Sequence, residues 1–434
     1  MLDDPTSQSP LTLAQCQQRD AQDPLSSLRD DFELPAGVIY LDGNSLGPLP
    51  RATAACVADG ITRQWGQALI RAWNSEGWFD LPRRLGARIA PLIGAQPNDV
   101  VVADTSSVNL YKVLNAALGS ARRAAPKRRV LLTETENFPT DLYIAQSLCD
   151  QLGMSLRCVP APELVAALDQ SVAVLMLTHV NYRTGAMHDL RALTGAAHAV
   201  GALTVWDLAH SVGAVPLSVH ADEADFAIGC GYKYLNGGPG APAFVWVHPR
   251  HQASAEQPLT GWWGHAQPFA FHAEYRPAPD IRRFQCGTPS ILALLALGCG
   301  LDVFERAQAV GGLTALRAKS LALSQTFLDV LAQRCPDADW VCVTPRLASQ
   351  RGNQLSFASA RIDTHAVAQA LIARGVIGDF RAGDGVVTPD LLRLGFAPLY
   401  LRFEDIWHAA NALADILCTG QWRDPIYARR QTVT

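Results

Sequence analysis

From Val100 onward the hydrophobic positions fall into a repeated alternation. A short, uninterrupted apolar run gives way to a turn rich in Ser, Thr, Asn or Gly, and then to a stretch with helical spacing. The segments VVADTSSVNLYKVLNAAL, RVLLTETENFPTDLYIAQSLC, SVAVLMLTHVNYRTG and ALTVWDLAHS all follow this plan, and DFAIGCGYKYLNGGPG adds one more apolar run before a Gly/Pro-rich loop. Runs that are apolar at every position predict strands buried on both faces, and helical stretches between them predict crossovers. The fold class is therefore α/β, with a central, mostly parallel sheet. Upstream, VIYLDGNSLGPLP predicts a short strand breaking into a turn, and Arg51–Trp73, with Val57, Ile61 and Trp65 at i+4 spacing, predicts a helix. After Pro289 a long apolar helix is expected over Ile291–Ala309. The pair Gly311-Gly312 then opens a second helix–strand region containing WVCVTP, NQLSFAS and GVIGDF. The expected organisation is an N-terminal segment (1–50), a large domain (51–310) and a smaller C-terminal α+β domain (311–434).

Composition narrows the class. With 434 residues, 49% hydrophobic and 18% charged, the chain can bury a sizeable core. A net charge of −4 gives no reason to expect nucleic acid or an anionic membrane as partner. The longest uncharged apolar stretch is too short to span a bilayer, and the acidic start MLDDPTSQSP does not resemble a secretory signal. None of the ten cysteines stands in CxxC spacing. Several, including Cys158, Cys342 and Cys418, lie in apolar stretches and are expected as small buried hydrophobes. Scattered cysteines in a long chain fit a reducing compartment, so a cytoplasmic protein is expected.

The chemistry gathers at the expected strand ends. Lys233, flanked by Tyr232 and Tyr234, follows an apolar run, a setting that favours the neutral amine needed for Schiff-base chemistry. Asp207 ends the preceding apolar run, and His210 follows at i+3. An acid placed to pair with a pyridinium nitrogen, followed one strand later by such a lysine, points to pyridoxal phosphate (PLP). The turn Thr105-Ser106-Ser107 would place hydroxyls and amides at a helix N-terminus, a phosphate seat, although alone it is an ordinary cap. Asn137-Phe138-Pro139-Thr140-Asp141 offers a ring to stack on a planar cofactor and an acid near it. No Walker A loop, complete GxGxxG or HExxH pattern competes, and no metal site is expected.

These motifs carry a resemblance. LDGNSLGPLP, NFPTD, DLAHSVG, GYKYLNGGPG, GWWGH and LRLGFAPLY, in that order, resemble the kynureninase family, PLP enzymes of the aspartate-aminotransferase-like fold (fold type I). The resemblance implies hydrolytic Cβ–Cγ cleavage of L-kynurenine to anthranilate and L-alanine in tryptophan catabolism. It implies Lys233 as the Schiff-base lysine and general acid–base group, Asp207 against the pyridine nitrogen, and Phe138 on the ring, with Pro139, Thr140 and Asp141 at its edge. Ser106, Ser107 and Tyr232 match phosphate-side positions, and Thr178 and His210 match positions that contact the cofactor. Tyr232 is the expected proton relay, with His210 a weaker candidate. Trp262 and Thr288 match positions that reach the phosphate from a partner subunit, which implies a homodimer. Arg393 matches the residue that clamps the substrate carboxylate. Trp73, Gly287 and Thr288 follow the bacterial pattern, where animal enzymes carry His and Ser-Asn, and this implies that 3-hydroxykynurenine is the poorer substrate. The alternatives are another fold type I enzyme, such as a cysteine desulfurase or aminotransferase, and a catalytically silent PLP-binding protein.

Overall fold

The computed structural model describes residues 11–430. The N-terminal stretch read above for a secretory signal lies outside the described residues. The chain divides into two compact units. The larger comprises Ser45–Tyr182 and Ala186–Glu305; the smaller comprises the segment ending at Asn44, Arg183–Gly185 and the segment from Arg306 onward.

The larger unit is built on seven strands: β1 (Val100–Val102), β2 (Val130–Glu134), β3 (Ser155–Val159), β4 (Val172–Thr178), β5 (Leu203–Asp207), β6 (Phe226–Gly229) and β7 (Phe244–Val247). Their order is β1-β7-β6-β5-β4-β2-β3. All pairings from β6 through β3 are parallel, and β7 runs antiparallel to both β6 and β1. Because β7 is reversed between them, β1 points the same way as the parallel strands. The carboxyl ends of β1, β2, β4, β5 and β6 therefore share one edge of the sheet. That edge is where ligands bind in open α/β sheets.

Helix α1 (Ser106–Ala124) shows why the sheet is covered. Leu110, Val113, Leu114, Ala117, Leu118 and Ala121 recur at helical spacing, are buried, and join a cluster with Val101, Leu131, Val174 and Val205 of the strands. Each large side chain removed from water in this way contributes about 1.5–3 kcal/mol. Helices α2 (Pro139–Leu152) and α3 (Leu190–Ala199) also follow strands, the first opening on Pro139 at the helix start and the second capped by the Asp189 carboxylate.

Two expectations change. Arg51–Trp73 is not one helix: Thr53–Asp59 is α-helical, Gly60–Trp65 winds as a π-turn, and only Ala72–Ser75 is α-helical again. A side chain at Gly60 would meet Leu295 at 2.6 Å, so the break coincides with a close approach to the helix Ile291–Gln308. Ile61 and Trp65 are exposed, so their spacing marks a surface and not a core stripe. The cysteines also differ. Cys158 is exposed because β3 is the edge strand, Cys342 is half-buried, and Cys418 is exposed at a helix end, its sulfur 2.8 Å from that of Cys335.

The smaller unit holds an antiparallel sheet of β8 (Val341–Cys342), β9 (Gln354–Ala358), β10 (Asp379–Arg381) and β11 (Leu391–Gly395), in the order β8-β9-β11-β10. Its helices are α4 (Gly312–Arg334), α5 (Thr364–Ala373) and α6 (Phe403–Thr419). The N-terminal segment belongs here: Asp20 accepts the Phe403 and Glu404 N–H groups at 2.7 and 2.9 Å, capping α6, and Ile39–Tyr40 pairs in parallel with Val376–Ile377. Phe327 fills the centre, with Phe357 and Phe396 ring centroids at 5.9 and 5.6 Å. Phe327→Ala should cost about 3–5 kcal/mol, the usual loss for emptying an aromatic site in a core. Urea denaturation would show it as an earlier transition, and an unchanged transition would mean that this cluster does not hold the unit.

Candidate active site

The loop that follows β6 presents Lys233, the loop that follows β5 presents His210, and Asp207 ends β5. Lys233 Nζ lies 2.9 Å from His210 Nε2 and 5.7 Å from the Tyr232 ring centroid. The lysine loop is held from outside by the LDGNSLGPLP motif. The Gly47 N–H donates to the Tyr232 carbonyl at 2.8 Å, and a Cβ at Gly47 would come within 2.4 Å of the Lys233 carbonyl oxygen. Only glycine permits that approach.

Asp207 is buried, and its Oδ1 accepts the Ala209 N–H at 2.7 Å. Asp141, in the first turn of α2, is buried beside it. Burial pushes the Asp207 carboxyl up, opposed by the Lys233 charge and the Ala209 N–H. Asp141 is driven well above the usual carboxylate range, first by burial and then by the Asp207 charge. Burial therefore drives both carboxyls of the pair toward the protonated form. Thr178, register partner of Asp207 across β4 and β5, donates to Asn137 Oδ1 and lies 3.4 Å from Asp141 Oδ2. Asn137 Oδ1 also accepts the Phe138 N–H at 2.7 Å, which orients the start of α2. Phe138 is partly exposed and meets Tyr182 edge-on at 5.1 Å. Next to Thr178, burial lowers His179 to about 3, so its ring is neutral, with Nδ1 2.8 Å from Ser211 Oγ.

Beyond the end of β1, Thr105 caps α1 by accepting the Val108 N–H at 3.3 Å. Ser106 and Ser107 therefore stand in its first turn, where backbone N–H groups have no intrahelical partner. The Gln285–Ser290 segment closes a cavity of about 270 Å³ beside Asp104 and Thr105, and Gly287 and Thr288 line it. Trp73 and Trp262 meet through Trp263, with ring centroids at 5.1 and 4.6 Å. Pro139 and Thr140 open α2 ahead of Asp141.

Arg393 belongs to the smaller unit. It is fully buried on β11, where the register partner Asp379 accepts from Nε at 2.9 Å and from Nη2 at 2.5 Å. With its amide oxygen turned toward the guanidinium, Asn44 accepts from the same two nitrogens at 2.9 and 3.0 Å. The Nε–Nη2 edge is thus engaged by the protein. Asn137, Asp379 and Asn44 were not picked out from the sequence. The signal available was only their position, within NFPTD, two residues past a short strand, and within LDGNSLGPLP.

The residues suit PLP. Two buried acids beside one lysine are a donor set that calls for a cation at Asp207, and a pyridinium nitrogen supplies one. Ser106 and Ser107 at a helix N-terminus suit a phosphate, and Phe138 offers a ring face. Among the described residues no group of His, Cys, Asp and Glu could hold a metal ion, and no helix is long and apolar enough to cross a membrane.

The chain is similar to known proteins along nearly its whole length. The family model for the kynureninase C-terminal domain matches residues 316–413. A kynureninase of Burkholderia mallei is 54% identical over 418 residues, covering 96% of this chain and 98% of that protein. A kynureninase of Pseudomonas fluorescens is 51% identical over 422 residues, covering 96% and 99%. Among solved structures, the cysteine desulfurase of Thermococcus onnurineus superposes with a TM-score of 0.76 at 20% identity, over 91% of this chain and 98% of its own. A variant of the C-DES lyase with glycine covalently linked to its PLP cofactor gives 0.73 at 18% identity, over 89% and 99%. These two show the fold: PLP fold type I.

The carboxyl pair yields a pH prediction. A raised acid binds its proton more tightly in the folded chain, so its contribution to stability is lost as pH rises from the unfolded value of 3.8 through the folded one. In the cofactor-free protein, the stability of wild type relative to Asp141→Asn should therefore fall as pH rises from about 4 toward neutrality. Chemical denaturation at several pH values measures the difference. Two curves that stay parallel would show that the pair carries no strain.

Proposed function

The chain belongs to the kynureninase family, and from that premise we infer how its residues divide the work. The protein is a PLP-dependent hydrolase that cleaves the Cβ–Cγ bond of L-kynurenine, giving anthranilate and L-alanine. The observation that carries the assignment of roles is Lys233, 2.9 Å from His210, at the same sheet edge as the buried Asp207–Asp141 pair.

When bound, PLP supplies an electron sink for negative charge developing on the substrate carbons. In the proposed division, Asp207 pairs with the ring nitrogen and keeps it protonated, and Asp141, with its proton, serves as donor at the ring's polar edge. Phe138 stacks on the ring, with Pro139, Thr140 and Thr178 fixing its position. Ser106, Ser107 and Tyr232 hold the phosphate. Lys233 takes the Cα proton as general base and returns it at a later step. His210, in direct contact with Lys233 Nζ, becomes a stronger candidate for passing that proton than its sequence position implied. Tyr232, whose ring lies beside the amine, is the relay for protons at the cleaved carbon. Arg393, pre-oriented by Asp379 and Asn44, takes the substrate α-carboxylate.

A homodimer is part of this proposal. Trp262 and Thr288 would reach the partner's phosphate. Ile70 and Phe271 are each 77% exposed and Trp65 58% exposed in the single chain, large apolar side chains that a partner subunit would cover. Trp73 and Gly287 would shape the aromatic end of the substrate site. With no polar partner there for a 3-hydroxyl, L-kynurenine would be the preferred substrate. A place in tryptophan catabolism, in the cytoplasm, follows from that substrate.

Purified wild type and Lys233→Ala, each given L-kynurenine, test the assignment. Wild type should absorb at the wavelengths of lysine-bound PLP and release anthranilate and alanine in equal amounts, and the variant should do neither. Wild type that binds PLP but yields only a keto acid would overturn it. Separately, kcat/KM should favour L-kynurenine over 3-hydroxykynurenine by at least about tenfold, the worth of one unpaired buried polar group. Equal values would remove the role given to Trp73 and Gly287.

A further inference from the structure

Lys112 is a fully buried cation, and nothing in the reaction described above uses it. It lies in the second turn of α1, and its ammonium reaches two separate pieces of chain. It pairs with Asp104 Oδ2 at 2.7 Å and donates to the carbonyl of Phe284. Burial lowers its pKa and the Asp104 charge opposes that shift.

Both pieces lead to phosphate-side residues. Asp104 sits in the left-handed region at φ 47°, immediately before the Thr105 cap and Ser106-Ser107, and its carbonyl accepts the Ala243 N–H at 2.9 Å. An aspartate in that conformation is strained unless its surroundings hold it. Phe284 leads into Gln285–Thr288 on the far side of the 270 Å³ cavity. From there the Cys286 carbonyl accepts the Trp263 N–H at 3.2 Å, and a Cβ at Gly261 would stand 2.2 Å from that same oxygen. One ammonium group therefore sets the spacing between the Thr105–Ser107 turn and the segment bearing Trp262 and Thr288.

We propose that Lys112 is a positioning residue for the cofactor phosphate, through its bonds to Asp104 and Phe284. The inference rests on the phosphate roles proposed above for Ser106, Ser107, Trp262 and Thr288. If the first pair serves a protomer's own cofactor and the second its partner's, Lys112 ties the two cofactor sites of a dimer to each other. A lysine suits the task because it offers several donors from a point charge, and because removing it leaves Asp104 and a buried carbonyl without their donor.

PLP affinity of the full-length chain, followed by absorbance on adding PLP to the cofactor-free protein, is the measurement. Lys112→Met should weaken PLP binding at least about tenfold, the loss of roughly one buried charged hydrogen bond. Lys112→Arg should restore part of it, and Asp104→Asn should shift it in the same direction by less. Val113→Ala, which empties a core position on the same helix without removing a polar contact, is the control: it should lower thermal stability and leave PLP affinity within twofold. Should Lys112→Met not fold, Asp104→Asn decides. The proposal falls if Lys112→Met or Asp104→Asn weakens PLP no more than Val113→Ala does. Ser107→Ala and Thr288→Ala separate the two levels. If both bind PLP normally, the phosphate roles fall and this inference with them; if both bind it weakly while Lys112→Met does not, only this inference falls.

Discussion

The arrangement depends on two acids buried at the end of a parallel sheet. Asp207 and Asp141 occupy a place where neither would ordinarily remain charged. Left to themselves, burial would neutralise both. The Lys233 charge and the Ala209 N–H oppose that shift at Asp207, and a ring cation would complete the compensation. The surrounding hydrogen bonds serve this pair. Thr178 and Asn137 link β4, β2 and the first turn of α2 behind it, so the acids are held by the backbone of the sheet and not by a flexible loop. A rigid support is what a group that must keep one protonation state requires.

Much of this was legible in the sequence for a physical reason. In a parallel sheet the strands are apolar throughout, so the first polar residue after each run marks the carboxyl edge. Asp207, Thr178 and the Thr105–Ser107 turn are such residues, with Lys233 and the NFPTD turn a few positions further on, and the structure places all of them there. Strand β7 was not legible, because an antiparallel strand inserted among parallel ones has the same apolar composition. The helix expected over Arg51–Trp73 misled for a related reason. Periodicity reports an apolar face, not what covers it, and Ile61 and Trp65 are exposed in the single chain.

The residues that orient the reactive ones were out of reach. Asp379 meets Arg393 only because β10 and β11 pair in one register, and Asn44 reaches it from the other end of the chain. Lys112 reads as an ordinary charge in an amphipathic helix until Phe284 is seen beside it. Such residues act through distant partners, and spacing along the chain carries no trace of them. Arg393 shows the consequence. As a motif residue it suggested a fork open to a carboxylate. In the structure Asp379 has already taken one edge, so the arginine is a positioned donor of fixed orientation.

The same fold carries cysteine desulfurases at 20% identity, so the fold alone does not select hydrolysis of a carbon–carbon bond. The sheet edge provides what PLP enzymes of this type need in common: an acid, a lysine and a phosphate seat. What differs must lie where the substrate's aromatic end would go. Trp73, proposed above for that end, belongs to a cluster with Trp78, Phe79, Trp262 and Trp263 whose ring centroids stand 4.6–5.6 Å apart. A wall of large aromatic rings favours a flat aromatic ketone over a short thiol-bearing amino acid, because buried ring area contributes more than a single sulfur contact. On that proposal selectivity is separated from chemistry in the chain: the residues given acid, base and anion roles lie at strand ends, and the aromatic cluster lies in the irregular segments before β1 and after β7.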